Sequence, residues 1–267
     1  GYHVSAGDYR GHGLTCTSAQ GLGHPADHDG WNKIIADQMT IISHLQDQWD
    51  QPLTLYGHSM GTFVATRVAQ RYARKLKPIL QSLVLSAGSY RPPWLYRIGL
   101  VPILFELWRK GPLAHSKLLD WLTFGYFNNA FKPVRTPKDW ISSDHAVVDA
   151  YIADPFAGHP ISNQFWFDWM HGLAEVHEPE SMAQIDSELP IYLFSGGQDP
   201  VGKQGEYVVS LQKALKRAGS IDVTYKLYAN GRHEMINEPE KEQVFDDLLV
   251  WLRKRSQAII NQRVRII

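Results

Sequence analysis

A serine flanked by glycines, an aspartate in a glycine-rich turn and a histidine in a second such turn stand out in this 267-residue chain as side chains that could do chemistry together. The stretch LTLYGHSMGTFVA, residues 53–65, sets Ser59 between Gly57 and Gly61. Leu53, Leu55 and Tyr56 suit a short buried strand, and the residues from Thr62 to Ala73 suit a helix. A strand that turns at once into a helix strains the corner residue and crowds the positions two before and two after it, so glycines there expose the Ser59 hydroxyl at the tip. A serine hydroxyl is a weak nucleophile at neutral pH and needs a base to take its proton and an acid to orient that base. IYLFSGGQDPVG places Asp199 just past the carboxyl end of an expected strand, and VTYKLYANGRHEMINE places His233 in the loop after the last one.

The elements that must hold these residues read as parallel strands joined by crossover helices, an α/β arrangement. Strands are expected at Tyr2 to Ala6, Leu53 to Tyr56, Ser82 to Ser86, Ile191 to Ser195 and Val223 to Tyr228. Trp31, Ile34, Ile35, Gln38, Ile42, Leu45 and Trp49 recur at helical spacing, with Asp29 placed to cap their helix, and a last helix opens near Glu240 behind Pro239. About a hundred residues separate the third expected strand from the fourth, too many for one crossover. Their aromatic content, as in RPPWLYRIGLVPILFELWRKGPLAHSKLLDWLTFGYF, reads as an inserted helical cap. The expected division is therefore core 1–88, cap 89–176 and core 177–267. Trp94, Leu95, Leu104, Phe105, Leu107, Trp108 and Trp121 of the cap offer apolar surface for an acyl pocket, with Trp94, Leu104, Phe105, Trp108 and Trp121 as the substrate-binding candidates.

Composition excludes several classes. Lys plus Arg and Asp plus Glu both number 27, so no net field draws nucleic acid. A basic cluster near the end, Arg253, Lys254, Arg255, Arg263 and Arg265, suits either anionic lipid or a solvated helix end. One cysteine, Cys16, cannot form an internal disulfide and fits a reducing compartment. The apolar run Ile98 to Phe105 is short of the roughly eighteen residues a membrane span needs, and Gly99 and Pro102 interrupt it. A cytoplasmic location, or a peripheral one at a membrane, is expected.

The competing motifs are weaker. His58 adjoins Ser59, but neighbouring side chains at such a corner diverge, so it is expected to support the loop. Asp186, Asp222 and Asp246 fall before a strand, at a strand start and inside a helix. His24 and His28 with Asp27 and Asp29 suggest a metal only until Pro25 breaks their helical spacing, so no metal is expected. GLGH, residues 21–24, lacks the setting of a dinucleotide loop and reads as a turn.

On the segments YHVSAGDYRGHG, LYGHSMG, FNNAFKPVRTPKDWISSD, SGGQDPVG and GRHEMINE, the chain resembles the monoacylglycerol lipase and lysophospholipase group of the α/β-hydrolases over nearly its whole length. The order Ser59, Asp199, His233 is that superfamily's order. The resemblance implies hydrolysis of one acyl ester of a monoacylglycerol or lysophospholipid, under a cap, by an acyl-enzyme route without cofactor. It implies an oxyanion hole built from the Met60 N–H and from a His-Gly loop after the third strand of the fold. That loop normally precedes a segment like the first residues here, so the first strands are absent from the sequence as given. Loss of one oxyanion donor commonly costs about 10²–10³ in rate. The expectation is then a piece of a longer chain or an impaired hydrolase-fold protein that binds a lipid or a partner. A general carboxylesterase or peptidase of the same fold is the other alternative.

Overall fold

The computed structural model describes residues 2–16 and 21–264, with side chains as far as Arg255. Alternating burial builds its centre. Four parallel strands, β1 (Leu53–His58), β2 (Leu80–Ser86), β3 (Ile191–Gly196) and β4 (Val223–Tyr228), pair in the order β1-β2-β3-β4. Leu83, Leu85, Ile191 and Leu193 point to one face, where they meet Ala65 and Ala69 of α2 (Met60–Arg71) and Val208, Leu211 and Leu215 of α9 (Glu206–Arg217). Val84, Tyr192, Phe194 and Tyr228 point to the other, against Val244 and Trp251 of α10 (Lys241–Val264). A sheet covered on both faces explains why every residue of β3 is buried. The register aligns His58 with Ser86, Ser86 with Phe194, and Gly196 with Tyr228, so the loops that leave the strands all emerge at one edge.

Two expectations change. Tyr2 to Ala6 forms no strand; residues 2–8 are exposed, with His3 stacked on Trp49, 5.3 Å between centroids, and Asp8 accepting from the Leu14 amide at 2.8 Å. A strand is held by ladder hydrogen bonds to a neighbour, and β1 pairs only with β2 among the described residues. The chain docks from Tyr9 onward, where Arg10 makes a two-pronged bond to Asp37, 2.6 Å at each oxygen. Asp29 does not cap α1 (Gly30–Trp49): it adopts a left-handed conformation, φ 57°, and its carboxylate accepts from Asn32 instead. The amide of Gly30 donates to Asp168, at 2.7 Å, a buried carboxylate supplied 138 residues later.

Asp168 lies on α7 (Asn163–Val176), the last of the cap helices between β2 and β3. The others are α4 (Pro93–Lys110), α5 (Lys117–Phe124) and α6 (His145–Ala153), while α3 (Ala73–Leu76) and α8 (Pro179–Met182) are single turns. α4 runs unbroken through Gly99 and Pro102. Ser116, Asp144 and Ser162 cap α5, α6 and α7 by accepting from Leu119, Ala146 and Phe165. Phe165 reaches past the cap into a cluster with Trp31, Ile34 and Ile35 of α1, so α7 belongs as much to the core as to the cap. Asp168→Ala leaves the start of α1 uncapped across that junction. A loss of about 1–2 kcal/mol in urea unfolding is expected, and a loss within error of zero would show that Asp168 is not the cap.

Candidate active site

The turn from β1 to α2 is held in a strained shape. Ser59 has φ 51° and ψ −118°, a region that costs a residue with a Cβ about 1–3 kcal/mol. Its amide donates to the Ser86 carbonyl at 3.0 Å, and its carbonyl accepts from both the amide and the hydroxyl of Thr62, at 3.0 and 2.7 Å. A Cβ on Gly57 would sit 2.2 Å from the Gly61 carbonyl oxygen, so strand and helix touch where the sequence places a glycine. The hydroxyl of Tyr9 lies against Gly61, 3.4 Å from where a Cβ would be. Met60 opens α2, and its N–H is one of the first-turn amides that a helix leaves unpaired.

Asp199 and His233, 34 residues apart, meet at the same edge: His233 Nδ1 lies 3.0 Å from Asp199 Oδ2, and both side chains are buried. This bond sets the tautomer that donates from Nδ1 and leaves Nε2 as acceptor. Burial works to raise the Asp199 carboxyl. The His233 ring beside it, their hydrogen bond and the amides of Val201 and Gly202 outweigh that and hold it below the ordinary carboxylate range. Ser195 adds a hydroxyl at 3.4 Å. His58, next in chain to Ser59, brings the elbow to this pair: its ring lies 4.8 Å from that of His233, and its Nδ1 is 3.1 Å from the Ser86 hydroxyl. Among the described residues the Ser59 hydroxyl makes no hydrogen bond to His233, a looseness common in sites without substrate. The arrangement can move a proton off a hydroxyl held at the elbow and meet a developing oxyanion with the first amide of α2.

The sequence profile of the family described as serine aminopeptidase, S33 (Hydrolase_4), matches residues 1–240. The chain belongs to that family. It is 28% identical over 254 residues to a monoacylglycerol lipase of Mycolicibacterium smegmatis, covering 94% of this chain and 78% of that protein. Its fold is similar to a highly thermostable carboxyl esterase from Bacillus coagulans solved in complex with glycerol (TM-score 0.79, 27% identity, 92% of this chain and 79% of that one). It is also similar to a lipase solved in its open form (TM-score 0.80, 26% identity, 93% and 79%). The architecture is the α/β-hydrolase fold.

In this S33-family chain the five cap residues expected to bind substrate lie on α4 and α5. Trp94, Leu104, Phe105, Trp108 and Trp121 are exposed, Trp108 at 82%. A helix has one inward stripe, and that of α4 is taken by Tyr96, Ile103 and Glu106. An aromatic ring from the cap, that of Trp140, lies 5.1 Å from the ring of His233, which sequence reasoning missed. Also missed were Arg232 and Glu238, which bracket His233 in GRHEMINE. A cavity of about 580 Å³ opens at the opposite edge of the sheet, lined in part by Lys77, Leu80, Asp186 and Asp222. Asp186 pairs there with Lys77 and Asp222 with Arg255. Arg255 also stacks on Trp251, so the expected basic cluster is partly spent on the protein itself; Arg263 and Arg265 lie outside the described side chains. His24 is held by Ser162 and Asp27, and no metal-binding group occurs among the described residues.

A second buried histidine gives the site's surroundings a pH dependence. His177, at the end of α7, packs among Phe63, Tyr90 and Tyr96, and burial pushes its pKa down to about 3. Burial, and then the charge of a protonated His233, pushes His58 down to about 3 as well. A histidine whose pKa is lower folded than unfolded takes its proton only on unfolding, so stability falls as pH drops from about 6.5 toward about 3. Urea unfolding from pH 7 to pH 5 should show this fall. In His177→Gln the slope should be shallower by about 1.4 kcal/mol per pH unit at the acid end; an unchanged slope would mean that His177 is already protonated in the fold.

Proposed function

We propose that this carboxylic ester hydrolase removes the acyl chain of a monoacylglycerol or lysophospholipid. The reading rests on the Asp199–His233 hydrogen bond standing beside the strained serine elbow, and on the lipase and esterase names of the proteins the chain resembles. Ser59 Oγ attacks the ester carbonyl carbon while His233 Nε2 takes its proton, and Asp199 stabilises the imidazolium through Nδ1–H. The carbonyl oxygen becomes an oxyanion that accepts from the Met60 N–H. On collapse the C–O bond to the glycerol backbone breaks, and the alkoxide leaves with the proton from His233. Water, deprotonated by the same imidazole, then attacks the Ser59 ester and frees the fatty acid. No step calls on a metal or cofactor.

The outer face of the cap supports contact with a lipid surface. Trp94, Ile98, Val101, Phe105 and Trp108 follow one another at steps of four and three along α4 and are all exposed, and Trp121 of α5 extends them. An apolar face this size is uncommon on a soluble surface. Of the basic residues near it in the chain, Arg97 pairs with Glu178, Arg109 and Lys110 pair with Glu106, and Arg91 lies over Tyr207, so the apolar face rather than its charged border carries this contact. In this reading the face takes up substrate from a lipid aggregate, and no helix among the described residues is long and apolar enough to cross a membrane.

Two outcomes are expected. Ser59→Ala and His233→Ala should each lower kcat on p-nitrophenyl esters by about 10⁴-fold or more, with the double variant little worse, because the groups act as one unit. Ser59→Ala with half the wild-type kcat would refute the assignment. With acyl chains lengthened from two to ten carbons, kcat/KM should rise, with a ceiling of about 0.8 kcal/mol, or four-fold, per buried methylene. A flat profile would show that no acyl site exists.

A further inference from the structure

The sequence segment FNNAFKPVRTPKDWISSD, residues 127–144, has no role in the chemistry above, yet its last part is built into the histidine loop. Arg232 Nη1 donates to the carbonyls of Asp139 and Ser142, the latter at 3.0 Å, while its guanidinium lies over the Phe131 ring, 4.1 Å from the centroid. The amide of Glu234 donates to the Ile141 carbonyl at 2.9 Å, and the Ser142 hydroxyl to the Asn237 carbonyl at 3.1 Å. These contacts lie on both sides of His233 and come from a part of the chain some ninety residues earlier.

Glu238 closes the arrangement. Its carboxylate is 1% exposed and accepts from the Arg232 amide at 2.9 Å, from the Ser143 amide at 3.1 Å and from the Ser143 hydroxyl. It therefore ties the residue just before His233 to the cap segment. An unpaired buried carboxylate is costly, so each donor must stay in place while Glu238 is charged. Beneath the loop there is no slack either: a Cβ on Gly196 would fall 2.1 Å from the carbonyl oxygens of both Gly231 and Arg232. The same segment carries Trp140, whose amide is held by Asn128 at 3.0 Å, and presents its ring to His233. The imidazole thus has neighbours on two sides, Trp140 from the cap and His58 from the elbow.

We propose that Glu238 is a positioning residue for hydrolysis, which fixes His233 against Asp199 by locking residues 139–143 of the cap to the histidine loop. The cap is then a fixed wall on the Trp140 side of His233. The inference rests on the functional reading given above. It assigns no contact between Glu238 and substrate: Glu238 acts through the loop.

The test is Glu238→Gln, which keeps the volume and one acceptor but removes the charge. Steady-state kinetics on p-nitrophenyl butyrate should show kcat lower by about 10²-fold, the scale of an ångström-sized misplacement, with KM within two-fold of wild type. The low-field proton resonance of the Asp199–His233 hydrogen bond should weaken or broaden while near-UV circular dichroism stays unchanged, a combination that a general loss of stability would not give. Should Glu238→Gln not fold, Ser143→Ala removes one donor to the same carboxylate and should lower kcat by about ten-fold with the same spectroscopic change. Ser59→Ala runs alongside. If it is inactive while the Glu238 and Ser143 variants keep wild-type kcat and an unchanged resonance, the positioning role is wrong and the functional reading stands. If Ser59→Ala is active, the functional reading falls and the positioning role with it.

Discussion

The close contact between Gly57 and the Gly61 carbonyl governs what the rest of the structure can do. With no Cβ at residue 57, the end of β1 and the first turn of α2 approach until a methyl group would overlap the backbone at 2.2 Å. That approach forces Ser59 to φ 51°, outside the regions a serine ordinarily occupies. The strain is met by bonds on both sides: the Ser86 carbonyl of β2 accepts from Ser59, and Thr62 donates twice to its carbonyl. The pairing of β1 with β2 and the start of α2 therefore have to be in place for the hydroxyl to be presented at all.

The sheet carries this constraint to the other groups. Because β1 to β4 are parallel and in register, their carboxyl ends share an edge, and the loops after β3 and β4 arrive where the elbow already stands. Asp199 and His233 then need only short loops to meet. The price is burial of the carboxylate, offset by the imidazole and by two amides of its own turn. His58 stays neutral beside them because burial, together with the neighbouring imidazole, opposes its protonation. The site thus combines a carboxylate held in its charged form, the imidazole bonded to it and a second histidine that burial keeps neutral.

Much of this was legible from residue types. The elbow, β3 and β4 announce themselves through apolar runs that end in glycine-rich turns, and a turn's chemistry is local. The order of Ser59, Asp199 and His233 follows from those turns. What the sequence hid was long-range. Asp29 has the composition of a cap, but the carboxylate that caps α1 is Asp168, which only folding brings near. Tyr2 to Ala6 has strand-like residues without a described partner, and β character is a property of a pair rather than of a segment. α4 is apolar nearly all round, so its residues do not say which stripe faces inward; packing on α7 decides that and leaves Trp94, Phe105 and Trp108 outside. The bonds from Arg232 and Glu238 to residues 139–143 join segments whose sequences show no mutual signal.

The central claim is that Ser59 becomes acylated while His233 and Asp199 manage its proton. The most direct measurement is acid quench of the enzyme during turnover of a slowly deacylating long-chain ester, followed by intact-protein mass and peptide mapping. The account predicts a mass increase of one acyl group, carried by the peptide that contains Ser59 and absent from Ser59→Ala. An acyl group found on a different side chain, or ester turnover that persists in Ser59→Ala with no covalent species, would contradict it.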